Sequence, residues 1–186
     1  MEISDLATGH ADLIDQAARL LHEAFLGRTE DWQDLDSARE EVRASLAADR
    51  ISRVAVDDAD AGRAIGWIGA IPGYGGRVWE IHPLVVSAAH RRRGVGRALV
   101  EDLERIVAER GGLTLWLGSD DENAETTASG VDLYADVAGA IRDMKTLRGE
   151  HPFEFYIRLG FRLTGFLPDA NGPGKPDIFL AKRIRT

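Results

Sequence analysis

HRRRGVGRALV, residues 90–100, places three arginines and two closely spaced glycines directly before an apolar helix. The first turn of a helix leaves amide groups without intrahelical partners, and the helix dipole makes that end positive. Glycines on the approach leave these amides open to a ligand. The stretch therefore predicts a phosphate or pyrophosphate cradle over residues 93–97, with Arg91 and Arg92 at its rim. A tight strand–helix turn with solvated arginines is the alternative.

Two common phosphate-binding motifs do not fit this stretch. A Walker loop ends in Gly-Lys-Ser/Thr, which is missing here. The dinucleotide fingerprint needs a third glycine after a parallel strand. Here the preceding segment is RVWEIHPLVV, residues 77–86, which carries acidic and imidazole groups and reads as the last strand of an antiparallel meander.

The hydrophobic periodicity on either side of the loop predicts an α/β chain. Apolar residues at helical spacing predict a helix over residues 11–25, and a second helix over 37–48 is expected to begin with Ser37 as its N-cap. Alternating apolar residues predict strands, and Gly111 and Gly112 end the helix that follows the loop. The predicted strands cover residues 51–58, 63–71, 77–86, 113–119, 161–170 and 176–184, with a short helix over 151–160.

The length, composition and net charge of the chain limit its possible functions. The 186 residues are 44% hydrophobic and 29% charged, which predicts one folded domain over residues 1–186 without a span for a membrane. The chain has no cysteine and no signal-peptide pattern at its start, so we expect a cytoplasmic protein. Its net charge of -8 argues against a nucleic-acid partner and is compatible with a cationic small substrate.

The loop resembles the Arg/Gln-x-x-Gly-x-Gly/Ala signature of GNAT-type N-acetyltransferases, and FYIRLGF, residues 155–161, resembles a second feature of that superfamily. The resemblance implies a mixed sheet with an antiparallel N-terminal meander, a parallel strand pair that separates at the cofactor site, and helices on both faces. It also implies an acetyl-coenzyme A site. The residues expected to bind its pyrophosphate are Arg91, Arg92, Arg93, Gly94, Val95, Gly96 and Arg97. Those expected along its pantetheine arm are Leu84, Val85 and Val86, after a bulge at Pro83.

A narrower resemblance connects the chain with aminoglycoside 6′-N-acetyltransferases. It rests on VWEIHPLVV, LGSDDE, HPFEFYIRLGF and PDANGPGKPDIFLAKR, which lie between residues 78 and 183. This resemblance implies that the acceptor is the 6′-amine of an aminoglycoside. Another small amine, a polyamine or a protein lysine is the alternative acceptor, and a non-catalytic acyl-coenzyme A sensor is the alternative from another class.

Two residues on the strand before the loop are candidates for acid–base work. Glu80 and His82 are two positions apart, so they point to the same face of a strand. Apolar neighbours would bury Glu80 in part and raise its pKa, which suits a general base. The resemblance permits a base at either position, and we rank Glu80 first. The alternatives are a Glu80 that orients the amine or pairs with Arg77, and a His82 that packs in the core.

The resemblance also assigns Tyr156 as the proton donor to the departing thiolate, with a core aromatic as the alternative. An acidic connection follows the central strand and would attract a ligand with several ammonium groups. For any single carboxylate there, a solvated surface position is the alternative. The expected acceptor-binding residues are Trp32, Asp120, Asp121, Glu122, Asp136 and Asp169. The connection lacks the ligand spacing of a calcium loop, so no metal is expected, and a homodimer is left open.

Overall fold

The structure is a computed structural model that describes residues 1–28, 31–60 and 62–184. The chain forms two compact units. One contains residues 1–115 and Ile184, and the other contains residues 116–183. The prediction of a single domain over the whole chain stays a prediction. In the described part of the chain, no helix is both long and apolar enough to cross a membrane.

The first unit is built on an antiparallel meander of four strands. These are β1 (Glu2–Asp5), β2 (Ile51–Val56), β3 (Ala64–Gly73) and β4 (Val78–Val86), paired in that order. The last three strands confirm the predicted meander. The four residues of β1 carry too little alternation to be recognised in the sequence, and their pairing with β2 defines them as a strand.

Helices cover both faces of this meander. They are α1 (Ala11–Phe25), α2 (Leu35–Ala44) and α3 (Val95–Glu109). Trp67 on β3 is buried in a core cluster with residues of α1 and α2. Its neighbour Gly66 faces the side chains of Val95 and Leu99 on α3, which would lie 3.0 Å from an added Cβ. Because successive strand residues point to opposite faces, α3 packs on the face opposite α1 and α2.

The start of α2 corrects one expectation. Asp34, and not Ser37, is the N-cap, since its carboxylate accepts a hydrogen bond of 2.7 Å from the Ser37 amide. Ser37 therefore lies inside the first turn, and its hydroxyl donates back to the Asp34 carbonyl over 2.9 Å. Both residue types favour N-caps, so the sequence pattern alone did not distinguish them.

A bulge interrupts β4 at Pro83, as predicted from the sequence. Ile68 pairs with Leu84 and Ala70 pairs with Ile81, so one residue of β3 faces two residues of β4, His82 and Pro83. The single opposing residue is Gly69. An added Cβ there would lie 2.5 Å from the His82 carbonyl oxygen, so the close approach of the two backbones requires glycine.

The second unit contains two short helices, two whole strands and β5 (Thr114–Asp120) from its third residue onward. The other elements are α4 (Val137–Arg142), α5 (Pro152–Arg158), β6 (Arg162–Leu167) and β7 (Asp177–Arg183). The strand order is β5-β7-β6, and β6 and β7 are antiparallel. The expected short helix and closing strand pair are therefore present. The long connection from residue 121 to residue 151 contains only α4 and an isolated bridge between Thr126 and Thr146.

Candidate active site

The glycine loop ends in a helix start with open amide groups. Gly94 is the N-cap of α3 with a φ of 86°, and no side chain caps this helix. The first amide to bond within the helix is that of Ala98, which donates to the Gly94 carbonyl over 3.0 Å. The amides of residues 95–97 therefore have no intrahelical acceptor. An added Cβ at Gly94 would meet nothing within 4 Å, so the space in front of the helix is open.

Exposed positive charge surrounds this helix start. Arg91, Arg92 and Arg93 are exposed, and the Arg91 Nε donates to the Val86 carbonyl over 3.4 Å. Just before them, His90 Nε2 lies 3.6 Å from the Asp57 carboxylate, which ties the loop to the end of β2. Open amides, the helix dipole and guanidinium groups are a donor set that fits a pyrophosphate.

The end of β4 leads directly into the loop. Leu84 and Val86 are half-buried and Val85 is buried, and all three pair with β3. Buried and half-buried residues alternate along the whole of β4. The half-buried, more exposed face carries Glu80, His82, Leu84 and Val86. One strand therefore carries the predicted acid–base residues and the residues expected along the cofactor.

Glu80 lies in a partly desolvated position. Burial raises the pKa of its carboxyl above the ordinary value, and the nearby His82 opposes this rise in part. A half-buried carboxylate with a raised pKa is a suitable proton acceptor near neutral pH.

His82 is in contact with two residues of the same unit. The edge of the Trp32 ring packs on the imidazole with a centroid distance of 5.6 Å. A carboxylate oxygen of Glu41 also lies 3.9 Å from Nε2. His82 keeps 36% of its side chain exposed, so it is not a core histidine. Glu41 was not among the predicted site residues, although it follows buried Ala38 by one helical turn and so lies at the edge of the buried face of α2.

Tyr156 is buried on α5 in an aromatic cluster. Its ring packs edge-on against Phe155 and Phe161, with centroid distances of 5.0 and 5.4 Å. Burial strongly raises the pKa of its phenol. The hydroxyl therefore stays protonated, which fits a hydrogen-bond donor and excludes Tyr156 as a base.

Three of the predicted acceptor-binding carboxylates are exposed. Asp120 accepts a hydrogen bond from the Asn171 amide group over 2.9 Å, and Asp136 caps α4 through the Gly139 amide over 2.8 Å. Asp169 accepts from the Gly174 amide. Each of these hydrogen bonds engages one of the two carboxylate oxygens, so the carboxylate can accept further hydrogen bonds. Glu122 is half-buried.

Asp121 does not fit an acceptor-binding role. It is 1% exposed. Four groups donate to its carboxylate: the amides of Glu125 and Thr126 over 2.7 and 3.0 Å, and the hydroxyls of Thr126 and Ser129 over 2.6 Å each. Burial alone would raise its pKa, but these hydrogen bonds outweigh burial and hold the pKa below its ordinary value. Asp121 is a buried anion that organises the connection after β5.

A metal site is the other possible use of this cluster. Ligand atoms of Asp121, Glu125 and His151 lie within 4.8 Å of one another. A metal ion would have to displace the donors that already bind the Asp121 oxygens. We therefore assign the cluster to hydrogen bonding.

Comparisons with known proteins identify the class. The sequence model of the acetyltransferase (GNAT) family matches residues 14–134. The chain belongs to this family.

Solved structures of similar proteins narrow the relationship. An aminoglycoside 6′-N-acetyltransferase complexed with coenzyme A is 42% identical, with a TM-score of 0.91, over 100% of this chain and 98% of the other. The aminoglycoside 6′-N-acetyltransferase from Enterococcus faecium is 41% identical, with a TM-score of 0.88 and the same coverage. An aminoglycoside 6′-acetyltransferase type Ii is 38% identical, with a TM-score of 0.75, over 100% and 99%. The search of curated proteins gives no match.

Proposed function

We propose that this protein transfers the acetyl group of acetyl-coenzyme A to the 6′-amine of an aminoglycoside. The observation that carries the proposal is an identity of about 40% over the whole chain with several enzymes of that specificity. The helix start at Gly94 supports the choice of acyl donor, because coenzyme A carries the pyrophosphate that such a cradle fits.

The reaction joins the amine nitrogen to the thioester carbonyl carbon. An aminoglycoside amine is protonated near neutral pH, so a proton must leave before the nitrogen lone pair can attack. Attack gives a tetrahedral intermediate, whose nitrogen then loses a second proton to solvent. Its collapse breaks the carbon–sulfur bond and releases coenzyme A as a thiolate. The thiolate then takes a proton. The chain has no cysteine, and direct transfer requires no acyl-enzyme intermediate.

We assign removal of the amine proton to Glu80. We assign stabilisation of the departing thiolate to the Tyr156 hydroxyl. The raised pKa of Glu80 makes its carboxylate a stronger base than an exposed glutamate. The buried phenol of Tyr156 keeps its proton, so it can donate a hydrogen bond to the thiolate as the carbon–sulfur bond breaks. His82 lies on the same strand face as Glu80, so we assign it to orienting the acceptor amine.

The acceptor is a polycation, and we propose that the exposed carboxylates of the second unit bind its ammonium groups. Asp120, Asp136 and Asp169 each keep acceptor capacity beyond the hydrogen bond described above. An exposed ion pair contributes only about 0–1 kcal/mol, so the effect comes from several pairs acting together. We further propose that the Trp32 ring, next to His82, packs on a sugar face.

Steady-state kinetics with single variants test the assignments. Glu80→Gln keeps the shape of the side chain and removes the base, so we expect kcat/KM to fall by about two to four orders of magnitude. The dissociation constant for acetyl-coenzyme A, measured by calorimetry, should stay the same. If only the acceptor KM rises, Glu80 binds the amine and is not the base.

The acceptor assignment needs a combined variant. Asp120→Asn, Asp136→Asn and Asp169→Asn together should raise the KM for tobramycin more than any single change, and the effect should shrink at high salt. Arg105→Gln, on the exposed side of α3, is the control and should leave KM unchanged. An unchanged KM in the triple variant would remove these carboxylates from the acceptor site. The homodimer stays a prediction, which light scattering on the purified protein checks.

A further inference from the structure

His151 has a fixed tautomer because of its two hydrogen-bond partners. It is the N-cap of α5, where its Nδ1 accepts from the Phe153 amide over 3.3 Å. An amide N–H only donates, so Nδ1 carries no proton and Nε2 does. Nε2 donates to the Asp120 carbonyl over 3.1 Å. The ring is therefore a neutral bridge between the end of β5 and the first turn of α5.

Asp121 supports the same junction from the other side. Its Oδ1 lies 4.0 Å from His151 Nε2, and both side chains are fully buried. Its amide donates to the Pro176 carbonyl over 3.1 Å, just before β7, while its carboxylate gathers the amides and hydroxyls of residues 125–129. The buried anion therefore holds the start of the connection in one place.

The far end of the connection returns to α5 as well. The Leu147 amide donates to the Glu125 carbonyl over 2.6 Å, and the Thr127 amide donates to the Lys145 carbonyl over 3.0 Å. The Thr146 hydroxyl then donates to the Glu154 carboxylate on α5 over 2.6 Å. These bonds give α5 a second attachment to the segment that Asp121 organises.

Such attachments matter because α5 is only seven residues long. A helix of this length has no stability of its own, so its position is set by caps and packing. Tyr156 lies five residues after the cap and is the residue that we assigned to the departing thiolate. We infer that His151 and Asp121 are positioning residues that fix the Tyr156 hydroxyl by holding α5 to the end of β5. This inference rests on the proposed role of Tyr156.

Two substitutions separate the two bonds of His151. Asparagine places its side-chain oxygen near the position of Nδ1, so His151→Asn keeps the helix cap and removes the bond to Asp120. Glutamine places its amide nitrogen near the position of Nε2, so His151→Gln keeps the bond to Asp120. We expect kcat to fall about ten- to a hundred-fold in His151→Asn, because a displacement near 1 Å costs this much. His151→Gln should recover most of the loss.

A purely structural role would give a different pattern. In that case kcat would follow the melting temperature of each variant, and both KM values would change with it. The inference predicts that kcat is low in the variant that lacks the bond to Asp120 and nearly normal in the variant that keeps it. Both KM values should stay within about two-fold of wild type. His10→Asn is the matched control, because His10 is also an N-cap but lies on α1 and makes no capping hydrogen bond. It should leave kcat unchanged.

A double-mutant cycle decides whether His151 acts through Tyr156. In the Tyr156→Phe background, His151→Asn should lower kcat by less than about two-fold, because the hydroxyl that it positions is gone. An equal loss in both backgrounds overturns the inference and leaves the role of Tyr156 intact. If Tyr156→Phe alone matches wild type, the proposed role of Tyr156 is wrong and the inference fails with it.

Discussion

Removal of the Asp121 carboxylate should destabilise the fold strongly. Asp121→Ala leaves the buried Thr126 amide, the part-buried Glu125 amide and two hydroxyls without their acceptor. The hydroxyls can rotate toward other acceptors, but the amides of Glu125 and Thr126 cannot. Hydrogen bonds to a charged group contribute about 1.5–3 kcal/mol each, so two lost amide bonds predict a loss of roughly 3–6 kcal/mol in the free energy of unfolding. For a chain of this size that is a decrease in Tm of roughly 6–24 °C.

Urea unfolding followed by circular dichroism measures this loss. Asp132→Ala is the matched control in the same connection, because Asp132 is exposed and its side chain accepts one hydrogen bond from the Tyr134 amide. We expect a loss below about 1 kcal/mol for the control. If Asp121→Ala is no less stable than the control, the buried anion does not organise the connection.

Acid unfolding tests the charge of Asp121 separately. Its folded pKa lies below the ordinary value near 4, so the carboxylate binds a proton more readily in the unfolded state. Its contribution to stability is therefore complete above about pH 4 and is lost as the pH falls through the folded pKa. Asp121→Asn removes this titration, so its free energy of unfolding should depend less steeply on pH below about 4 than that of wild type. Equal slopes would contradict an ionised Asp121.

Three further changes test the fold around the site. Gly69→Ala should destabilise the protein by roughly 1–3 kcal/mol, because the new Cβ would lie 2.5 Å from the His82 carbonyl oxygen. Thermal unfolding measures this loss, and an unchanged Tm would contradict the close approach of the two backbones at the bulge. Gly94→Ala should weaken acetyl-coenzyme A binding in calorimetry, since a φ of 86° strains alanine; equal affinity would exclude the helix start as the cradle. Arg53→Met should cost roughly 1–3 kcal/mol, because Asp102 loses its 2.7 Å bond to Arg53 and keeps only its 2.9 Å bond to Arg105. A chemical denaturation curve like that of wild type would refute this.

Local patterns in the sequence predicted most of the fold. Val95, Leu99, Leu103 and Val107 have helical spacing, and all four are buried on α3. Pro83 marked the bulge because proline lacks the amide that a regular ladder needs. Such features depend on neighbours in the chain, and a single sequence contains them.

The parts that failed depend on neighbours in space. Asp121 has the same residue type as Asp120 beside it, yet one is buried and the other exposed. Only the folded connection brings the Thr126 and Ser129 hydroxyls to Asp121, so charge counting assigned it to the surface. Glu41 was missed for the same reason, because its approach to His82 joins residues that are 41 positions apart.

The acceptor specificity is tested most directly with a pair of aminoglycosides that differ only at carbon 6′, such as neomycin with an amine and paromomycin with a hydroxyl. The purified protein is mixed with acetyl-coenzyme A, and released thiol is followed together with the mass of the product. The proposal predicts rapid thiol release and a gain of one acetyl group with the 6′-amine, and neither with the 6′-hydroxyl compound, which should instead inhibit competitively. Equal acetylation of both compounds, or turnover of neither alongside rapid acetylation of a neutral amine, would contradict the proposed function.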